Sequence, residues 1–520
     1  MRTRYSLINI VVGLGGQMLN MLLAFVGRLI FVRYLSEEYL GVNGLFTDIL
    51  GMLNLAELGI GTAMIYSLYK PVAEDDREKI ISFMNLYKYL YRGVASVVLL
   101  LGLALFPFLD YFIKGNAGVE HLHFIYLMYL ANSVASYLLS YKNSILIANQ
   151  KAYIRIFYEQ LLHFAQLAAQ ILVLIVTKNF ILYLAIQLAG QFMVNVLVSI
   201  RVNKDYPYLK SQNILPSRDL CKGIIKNITA MSMHKFGTVF VRGTDNVLMS
   251  AFVGLGSVGI YSNYRLILSN LNTLLDKINS AFTGSIGNLS ATEKPEKIYE
   301  IFRILNFSIF LIYGYFAAGM AVLFNPFIEL FFGKSYLFSK FIVLLLVVDF
   351  YLTGMRQMVM QFRNVMGLFW YDRYKPIAEV LINLAVSVIL ARKYGVSGIF
   401  IGTIVSCVLT CLWIEPYVLM RYGIKENWKR KLVLYFGQYF LQAAAVAAAG
   451  LVGGWLVRQI PQRNIGWLFL KGILYTFVYA GIMIVLYGRC KEFLYLRERV
   501  KTIFQKIIIY IKDVGKRRIG

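Results

Sequence analysis

Residues 465–487 read IGWLFLKGILYTFVYAGIMIVLY, and Lys471 is the only charged residue among them. A helix of about 20 mostly apolar residues is long enough to cross the roughly 30 Å hydrocarbon core of a bilayer. Stretches of the same kind recur along the chain, and the hydropathy rule predicts about fourteen of them. We therefore predict an all-α integral membrane protein, because helices satisfy their own backbone hydrogen bonds inside lipid.

The composition of the whole chain agrees with this prediction. Hydrophobic residues make up 58% of the 520 residues and charged residues only 15%, whereas about 25% of an average soluble chain is charged. The formal net charge of +26 would suggest nucleic-acid binding in a soluble protein. A chain with a mean hydropathy of +0.62 is not soluble, so we predict no nucleic-acid partner.

The basic residues are concentrated in alternate connectors between the predicted spans, with an imbalance of roughly three to one. The segments Lys70–Lys79, Arg201–Lys222 and Arg421–Lys431 are the clearest examples. The positive-inside rule therefore predicts that these connectors and both chain termini are cytoplasmic. After Arg489, apolar residues recur at helical spacing among basic ones, which predicts an amphipathic helix on the anionic inner leaflet.

The connectors contain no feature of an enzyme or of a metal centre. They are short, and they hold no Gly-x-x-x-x-Gly-Lys-Ser/Thr phosphate-binding loop. The four cysteines have no metal-ligand spacing, and no third ligand lies near His121 and His123. We predict no catalytic residue and no metal site, and we interpret Trp370 as an anchor at the membrane interface.

An internal repeat divides the chain. A constant offset of 218 residues aligns Gly41 with Gly259, Asn54 with Asn272 and Lys79 with Lys297. Transporters are often duplicated in this way and bind substrate between the halves near the bilayer midplane. We predict the following organisation: a six-helix lobe at 1–200, a cytoplasmic connector at 201–222, a second six-helix lobe at 223–420, two additional helices in 421–487, and a basic tail at 488–520.

Polar residues recur at every third or fourth position of several spans, which places them on one helix face. In the second half the clearest face carries Tyr261, Arg265, Asn272 and Asp276. The corresponding span of the first half carries Asn54 and Glu57. Such groups are costly in hydrocarbon, so they normally face a water-filled cavity or one another.

Arginine inside a span is the strongest of these signals, because a guanidinium cannot be neutralised at accessible pH. Arg242 has Asp245 near it in the sequence, and Asp276 can pair with Arg265 or Lys277. No carboxylate lies close in the sequence to Arg28, Arg356 or Arg363. Hydrogen bonding between neighbouring helices is the alternative explanation, and it applies most to the Ser and Asn residues.

A cleft lined with arginine, amide and tyrosine side chains suits a large, polar, anionic cargo, because arginine binds phosphate bidentately. A lipid-linked pyrophosphoryl oligosaccharide fits this description. The candidate substrate-binding residues are Arg28, Arg242, Arg265, Arg356, Arg363, Asn54, Asn272 and Tyr261. The candidate ion-coupling residues are Glu57, Asp245 and Asp276.

Several segments resemble bacterial polysaccharide-biosynthesis flippases. They are FVRYL (31–35), YLGVNGLF (39–46), LAELGIGTA (55–63), TDN (244–246) and VGIYSNY (258–264). These flippases belong to the multidrug/oligosaccharidyl-lipid/polysaccharide exporter superfamily. The resemblance implies two six-helix lobes around a central cavity, plus two C-terminal helices, in a bacterial cytoplasmic membrane. In related lipid II flippases a first-helix arginine contributes to the cationic site, and Arg28 occupies a comparable place.

The resemblance also implies a function and partners. Undecaprenyl-pyrophosphate-linked oligosaccharide repeat units would cross the membrane by alternating access, for surface polysaccharide synthesis. The implied partners are the lipid-linked glycan, membrane lipids, a polysaccharide polymerase and glycosyltransferases. No cofactor is expected, and H⁺ or Na⁺ is the candidate coupling ion.

Two alternatives stay open. A cation-coupled multidrug exporter of the same fold would favour a net acidic cavity, whereas these spans carry more arginine than unpaired carboxylate. A membrane-embedded polysaccharide polymerase or glycosyltransferase would be expected to have longer loops with clustered acidic residues.

Overall fold

The structure, a computed structural model, describes residues 18–19, 21–53, 60–114, 118–149, 151–210, 214–217, 221–222, 243–461, 464–499 and 501–502. These ranges are almost entirely helical and contain no β-strand. The helices up to the middle of the chain are α1 (21–34), α2 (Glu37–Leu53), α3 (Ile60–Ala73), α4 (Arg77–Leu105), α5 (Leu122–Leu138), α6 (Asn143–Ala148), α7 (Ala152–Thr177), α8 (Phe180–Asp205) and α9 (243–252).

The helices that follow include two π-helical turns, at Cys407–Cys411 and Leu419–Ile424. They are α10 (Leu255–Ala281), α11 (Thr283–Thr292), α12 (Pro295–Phe332), α13 (Lys340–Met355), α14 (Gln357–Val365), α15 (Lys375–Tyr394), α16 (Val396–Ser406), α17 (Leu412–Val418), α18 (Trp428–Arg458) and α19 (Ile465–Tyr487).

Nine helical segments in the described part of the chain are long and apolar enough to cross a membrane. They are Arg77–Phe112, Leu122–Ala148, Ala152–Thr177, Phe180–Asp205, Pro295–Phe332, Lys340–Val365, Val396–Ile424, Trp428–Arg458 and Ile465–Tyr487. A multi-pass membrane protein is therefore confirmed. The total of about fourteen spans stays a prediction, because parts of the predicted first, second and seventh spans, and most of the basic tail, lie outside the described residues.

Short polar side chains start several of these helices. The Asn179 side chain accepts hydrogen bonds from the backbone N–H groups of Ile181 and Leu182 at the start of α8, and Asn464 caps α19 by accepting from Trp467 N–H. At the start of α4, Asp76 accepts from the backbone of Lys79, and the Lys79 ammonium beside it lowers the pKa of Asp76. Each cap satisfies N–H groups that the first turn of a helix leaves without partners.

The chain forms two compact units. The first contains the described residues up to Leu266 together with Leu384–Ile399, and the second contains Ile267–Asn383 and the described residues from Phe400 onward. Helix α10 therefore begins in the first unit and ends in the second. The domain boundaries expected from the sequence remain predictions.

Inside each unit, polar side chains donate to backbone carbonyls of neighbouring helices. In the first unit Tyr126 OH on α5 donates to Gly102 O on α4 at 2.9 Å. In the second unit Tyr479 OH on α19 donates to Leu311 O on α12 at 2.8 Å, and Tyr475 on α19 is buried and donates to Tyr315 O. Such bonds join helices where lipid gives no hydrophobic force to do so.

Helices α2 and α10 meet in the first unit through a reciprocal pair of glycines. A methyl group on Gly41 would overlap the carbonyl oxygen of Leu255, and one on Gly259 would overlap the carbonyl oxygen of Glu37. Residues 37 and 255, like 41 and 259, are separated by the 218-residue offset of the internal repeat. The repeat therefore brings its own equivalent residues together, and only glycine lets the two backbones approach this closely.

We expect Gly41→Ala and Gly259→Ala each to destabilise the protein by about 1–3 kcal/mol, the usual cost of overpacking. The added methyl group meets a backbone atom, which cannot move aside as a flexible side chain can. The measurement is the midpoint of thermal unfolding of the purified protein in detergent. Gly51→Ala on α2, the helix that also contains Gly41, is the control, because a methyl group there meets no described atom within 4 Å. Equal midpoints for all three variants would contradict the close crossing.

Candidate functional site

The first unit holds a polar cluster between α1, α2, α5 and α10. Arg28 on α1 donates from Nη1 to Ser262 Oγ on α10 at 2.8 Å, and Ser262 donates in turn to Gly259 O at 2.7 Å. On the neighbouring helices, Tyr129 OH donates to Asn43 Oδ1 at 2.7 Å. The predicted site residue Arg28 is therefore partly buried and held by a hydroxyl group on α10.

A second arginine of the first unit is held by an acid. Arg265 on α10 forms an ion pair with Asp48 on α2, and Asn246 Nδ2 on α9 donates to the same carboxylate at 2.8 Å. Asp48 is 9% exposed and Arg265 is 37% exposed. This arrangement buries the carboxylate and leaves part of the Arg265 side chain accessible.

The second unit buries a charge cluster around Glu415 on α17. Arg356, between α13 and α14, donates from Nε and Nη2 to the two oxygens of Glu415 at 3.0 and 2.7 Å. Lys375 Nζ at the start of α15 also contacts Glu415, and a Glu379 oxygen lies 3.9 Å from Arg356 Nη1. The Glu415 side chain is completely buried and that of Arg356 is 14% exposed. Two positive and two negative groups therefore balance one another.

The backbone around Glu415 is unusual. The π-helical turns Cys407–Cys411 and Leu419–Ile424 lie on either side of α17, and Cys407 Sγ lies 3.8 Å from Arg356 Nη1. Single π turns inside α-helices are often found at functional positions. In this protein the two π turns lie on either side of the helix that contains Glu415, the residue with the buried carboxylate.

Arg363 on α14 also has a carboxylate partner. It forms an ion pair with Asp372 in the connector to α15, and both side chains are buried. Sequence spacing showed no anion for Arg356 or Arg363, and the fold supplies one for each. Substrate binding by these two arginines stays a prediction, and it would require the substrate to displace a buried carboxylate.

The remaining predicted residues fall in several places. Arg242, Asn54 and Glu57 lie outside the described residues. Tyr261 is half-buried and lies near Arg265, and Asp245 is buried within electrostatic range of the same guanidinium. In the second unit, Asn272 is half-buried and Asp276 is exposed, both on α10. The structure thus brings Tyr261, Arg265 and Asp245 together.

Sequence reasoning missed the carboxylates that complete both clusters. Asp48 and Glu415 were not among the candidates, although each is a carboxylate inside an apolar span. An ionisable residue inside a membrane segment is a functional candidate by itself, so this signal was present in the sequence. What the sequence did not contain was the pairing, because 217 residues separate Asp48 from Arg265 and 59 separate Arg356 from Glu415.

The chemistry available in these clusters is the binding of anions and the exchange of one anionic partner of an arginine for another. Within the described residues, no group of three or more His, Cys, Asp or Glu side chains could hold a metal ion. Guanidinium, amide and hydroxyl groups line the clusters of the first unit, and such groups bind phosphate and sugar hydroxyls.

Glu415→Gln should destabilise the protein by about 3–5 kcal/mol, because it leaves Arg356 and Lys375 buried without their shared carboxylate. The midpoint of thermal unfolding of the purified protein measures this loss. Glu300→Gln is the matched control, since Glu300 pairs with Lys297 at 2.9 Å but both side chains are exposed. An exposed pair contributes less than about 1 kcal/mol. Similar small shifts in both variants would show that the Glu415 cluster is not a buried ionic network.

Comparisons with known proteins agree with this fold. The polysaccharide biosynthesis protein family matches residues 6–283. The comparison with curated protein sequences found no match.

Solved structures show which fold the chain shares. A structure of the lipid II flippase MurJ in an inward closed conformation has a TM-score of 0.60 at 14% identity, covering 93% of this chain and 99% of that one. An inward-facing multidrug resistance MATE family transporter of the MOP superfamily has a TM-score of 0.56 at 16% identity, covering 80% and 99%. A Vibrio cholerae MATE transporter has a TM-score of 0.52 at 14% identity, covering 82% and 98%.

These matches show the fold and the family of the chain. At 14–16% identity, the similar structures show that the chain shares the fold of a flippase and of transporters. The family match covers more than half of the sequence. The chain therefore belongs to the polysaccharide biosynthesis protein family.

Proposed function

We propose that this protein is a flippase that moves undecaprenyl-pyrophosphate-linked oligosaccharide repeat units across the bacterial cytoplasmic membrane by alternating access. The observation that carries the proposal is membership in the polysaccharide biosynthesis protein family. A fold shared with a lipid II flippase over 93% of the chain supports it. The transported unit would supply surface polysaccharide synthesis. Glycosyltransferases would act before the transport step, and a polymerase would act after it.

In this proposal Arg28 and Arg265 bind the pyrophosphate. Asp48 keeps Arg265 in place between substrates, and a phosphate oxygen takes over the accessible N–H groups when substrate enters. Tyr261 and the amides near it bind sugar hydroxyls. Because a guanidinium stays charged at every accessible pH, both arginines are charged before the substrate arrives.

The crossing of α2 and α10 fits a step of the transport cycle. The predicted topology places Gly41 and Gly259 near the extracytoplasmic ends of their helices, where close contact would block access from outside. Alternating access then requires these helices to separate, and the Asp48–Arg265 ion pair is the nearby interaction that must also break.

A cation-coupled multidrug exporter is the second candidate, because two of the similar folds are MATE transporters. The described clusters favour the flippase. A cationic drug needs an available carboxylate, whereas Asp48 and Glu415 are each occupied by at least one arginine.

A deletion strain that lacks this protein distinguishes a flippase from a multidrug exporter and from a synthetic enzyme. If it is a flippase, lipid-linked repeat units should accumulate on the cytoplasmic leaflet while surface polysaccharide falls. The leaflet that holds the units is identified by their accessibility to an added glycosidase in inverted and right-side-out vesicles. Loss of the units themselves would indicate a synthetic enzyme. Unchanged glycan together with new drug sensitivity would indicate an exporter.

Arg28→Ala should reduce surface polysaccharide by at least about tenfold, since one charge-assisted hydrogen bond to phosphate is worth about 1.5–3 kcal/mol. Polymer output in the complemented deletion strain is the measurement, and membrane abundance of the variant shows that it inserts normally. Arg33→Ala, an exposed arginine on the same helix, is the control and should support full output. Full output from Arg28→Ala would remove Arg28 from the proposed site.

Ion coupling is tested in vesicles that contain the purified protein. If Asp245 or Asp276 couples transport to H⁺ or Na⁺, an imposed gradient of that ion should accelerate flipping, and Asn at the coupling position should abolish the acceleration. The Asn variant should keep the rate that is seen without a gradient. Flipping that ignores both gradients would exclude the coupling role.

A further inference from the structure

Arginines and aromatic rings form a surface in the second unit that the transport proposal does not use. Its residues come from the connector between α14 and α15 and from the chain between the end of α17 and the start of α18, both helix ends included. We call this set the cation–aromatic surface: Trp370, Tyr371, Arg373, Tyr374, Tyr417, Arg421, Tyr422 and Trp428.

Arg373 lies over two rings of this surface. Its guanidinium carbon lies 3.9 Å from the centre of the Trp370 ring and 4.6 Å from that of Tyr374. One of its nitrogens, Nη1, donates to Trp370 O at 3.0 Å. Cation–π attraction holds the guanidinium beside these rings, and the Arg373 side chain is exposed.

Arg421 is held in the same manner. Its guanidinium carbon lies 5.3–5.4 Å from the ring centres of Tyr417, Tyr422 and Trp428, and Nη1 donates to Tyr417 OH. The rings of Tyr371 and Tyr422 stack with centres 3.8 Å apart, and this stack joins the surroundings of Arg373 to those of Arg421.

The two arginines differ from the site arginines in their electrostatic partners. Arg265, Arg356 and Arg363 each pair with a carboxylate, whereas among the described residues no carboxylate lies within ion-pair distance of Arg373 or Arg421.

The acids next to them in the sequence have other partners. Asp372 pairs with Arg363, and Glu426 shares a hydrogen bond with Glu296. The surface thus carries two fixed positive charges that the described part of the protein does not neutralise.

The position of the surface indicates what could neutralise them. The apolar spans Lys340–Val365 and Val396–Ile424 end here, and Trp428–Arg458 begins here. Trp370 is 70% exposed and Tyr374 is 68% exposed. Exposed tryptophan and tyrosine at span ends lie among lipid headgroups, and the positive-inside rule predicts this side to be cytoplasmic.

We propose that the cation–aromatic surface binds the phosphate of an anionic phospholipid of the inner leaflet. Arg373 and Arg421 donate to the phosphate oxygens, and the rings contact the glycerol and upper acyl carbons. The lipid supplies the negative charge that the described residues do not supply. The site is separate from the buried Glu415 cluster, whose cations are already paired.

Binding of short-chain phosphatidylglycerol to the full-length protein in a neutral detergent tests this assignment. Native mass spectrometry counts the bound lipid, and a titration gives its apparent Kd. Arg373→Gln combined with Arg421→Gln should weaken binding at least about tenfold, because two charge-assisted hydrogen-bond donors are lost. Trp370→Ala, which keeps the net charge, should also weaken it, because Arg373 loses its stacking partner. A thermal unfolding midpoint for each variant shows that it is folded.

Lys294→Gln combined with Arg430→Gln is the matched control. It removes the same charge from exposed positions that the topology also places on the cytoplasmic side, and it should change the Kd less than about twofold, since exposed charges act only through screened, long-range attraction. An equal loss in this control would overturn the proposal in favour of general charge attraction. Equal affinity for phosphatidylcholine would overturn it in favour of binding that does not depend on the net charge of the lipid.

Two further probes, inorganic phosphate and undecaprenyl phosphate, test whether the bound phosphate belongs to a phospholipid, to a free anion or to the transported lipid. Inorganic phosphate that displaces phosphatidylglycerol at the same concentration would show a free-anion site and overturn the lipid assignment. Undecaprenyl phosphate that binds there more tightly than phosphatidylglycerol would assign the surface to the transported lipid instead. Weak competition from both is the expected result. The assay measures no transport, so its outcome is independent of the proposed flippase activity.

Discussion

Charge inside a hydrocarbon environment is costly unless a partner of opposite sign is close, and the described structure depends on this constraint. The cost explains why Glu415 receives both Arg356 and Lys375, and why Asp48 receives both Arg265 and Asn246. Each cluster joins helices that are distant in the sequence. The same groups therefore satisfy electrostatics and fix which helices are neighbours.

Six of the arginines fall into three classes that differ in what holds them. Arg356 and Arg363 are buried against carboxylates and are the least available to a substrate. Arg28 and Arg265 are partly buried, Arg28 beside the Ser262 hydroxyl and Arg265 beside the Asp48 carboxylate, and we propose that a phosphate exchanges with these protein partners. Arg373 and Arg421 are stacked on exposed rings at the ends of spans. In our proposals the net positive charge thus serves packing, transport and contact with lipid in different places.

Much of the fold could be predicted because the hydropathy of a span is a local property. Ile465–Tyr487 and Leu122–Ala148 are helical spans at the positions that apolar runs indicate. The internal repeat also has a physical counterpart, since Gly41 and Gly259 meet in the crossing of α2 and α10. The candidate site could be predicted only in part. Helical spacing placed Tyr261 and Arg265 on one face, but it left Arg356 and Arg363 without the carboxylates that the fold supplies.

The sequence by itself determined that this is a helical membrane protein, on which side its basic connectors are expected, and which spans carry polar groups. These properties follow from the composition and periodicity of single segments. Only the tertiary structure decided that Asp48 pairs with Arg265 and that Glu415 pairs with Arg356 and Lys375. A buried ion pair depends on distances of a few ångströms between helices, and those distances are set by helix packing, which no single segment contains.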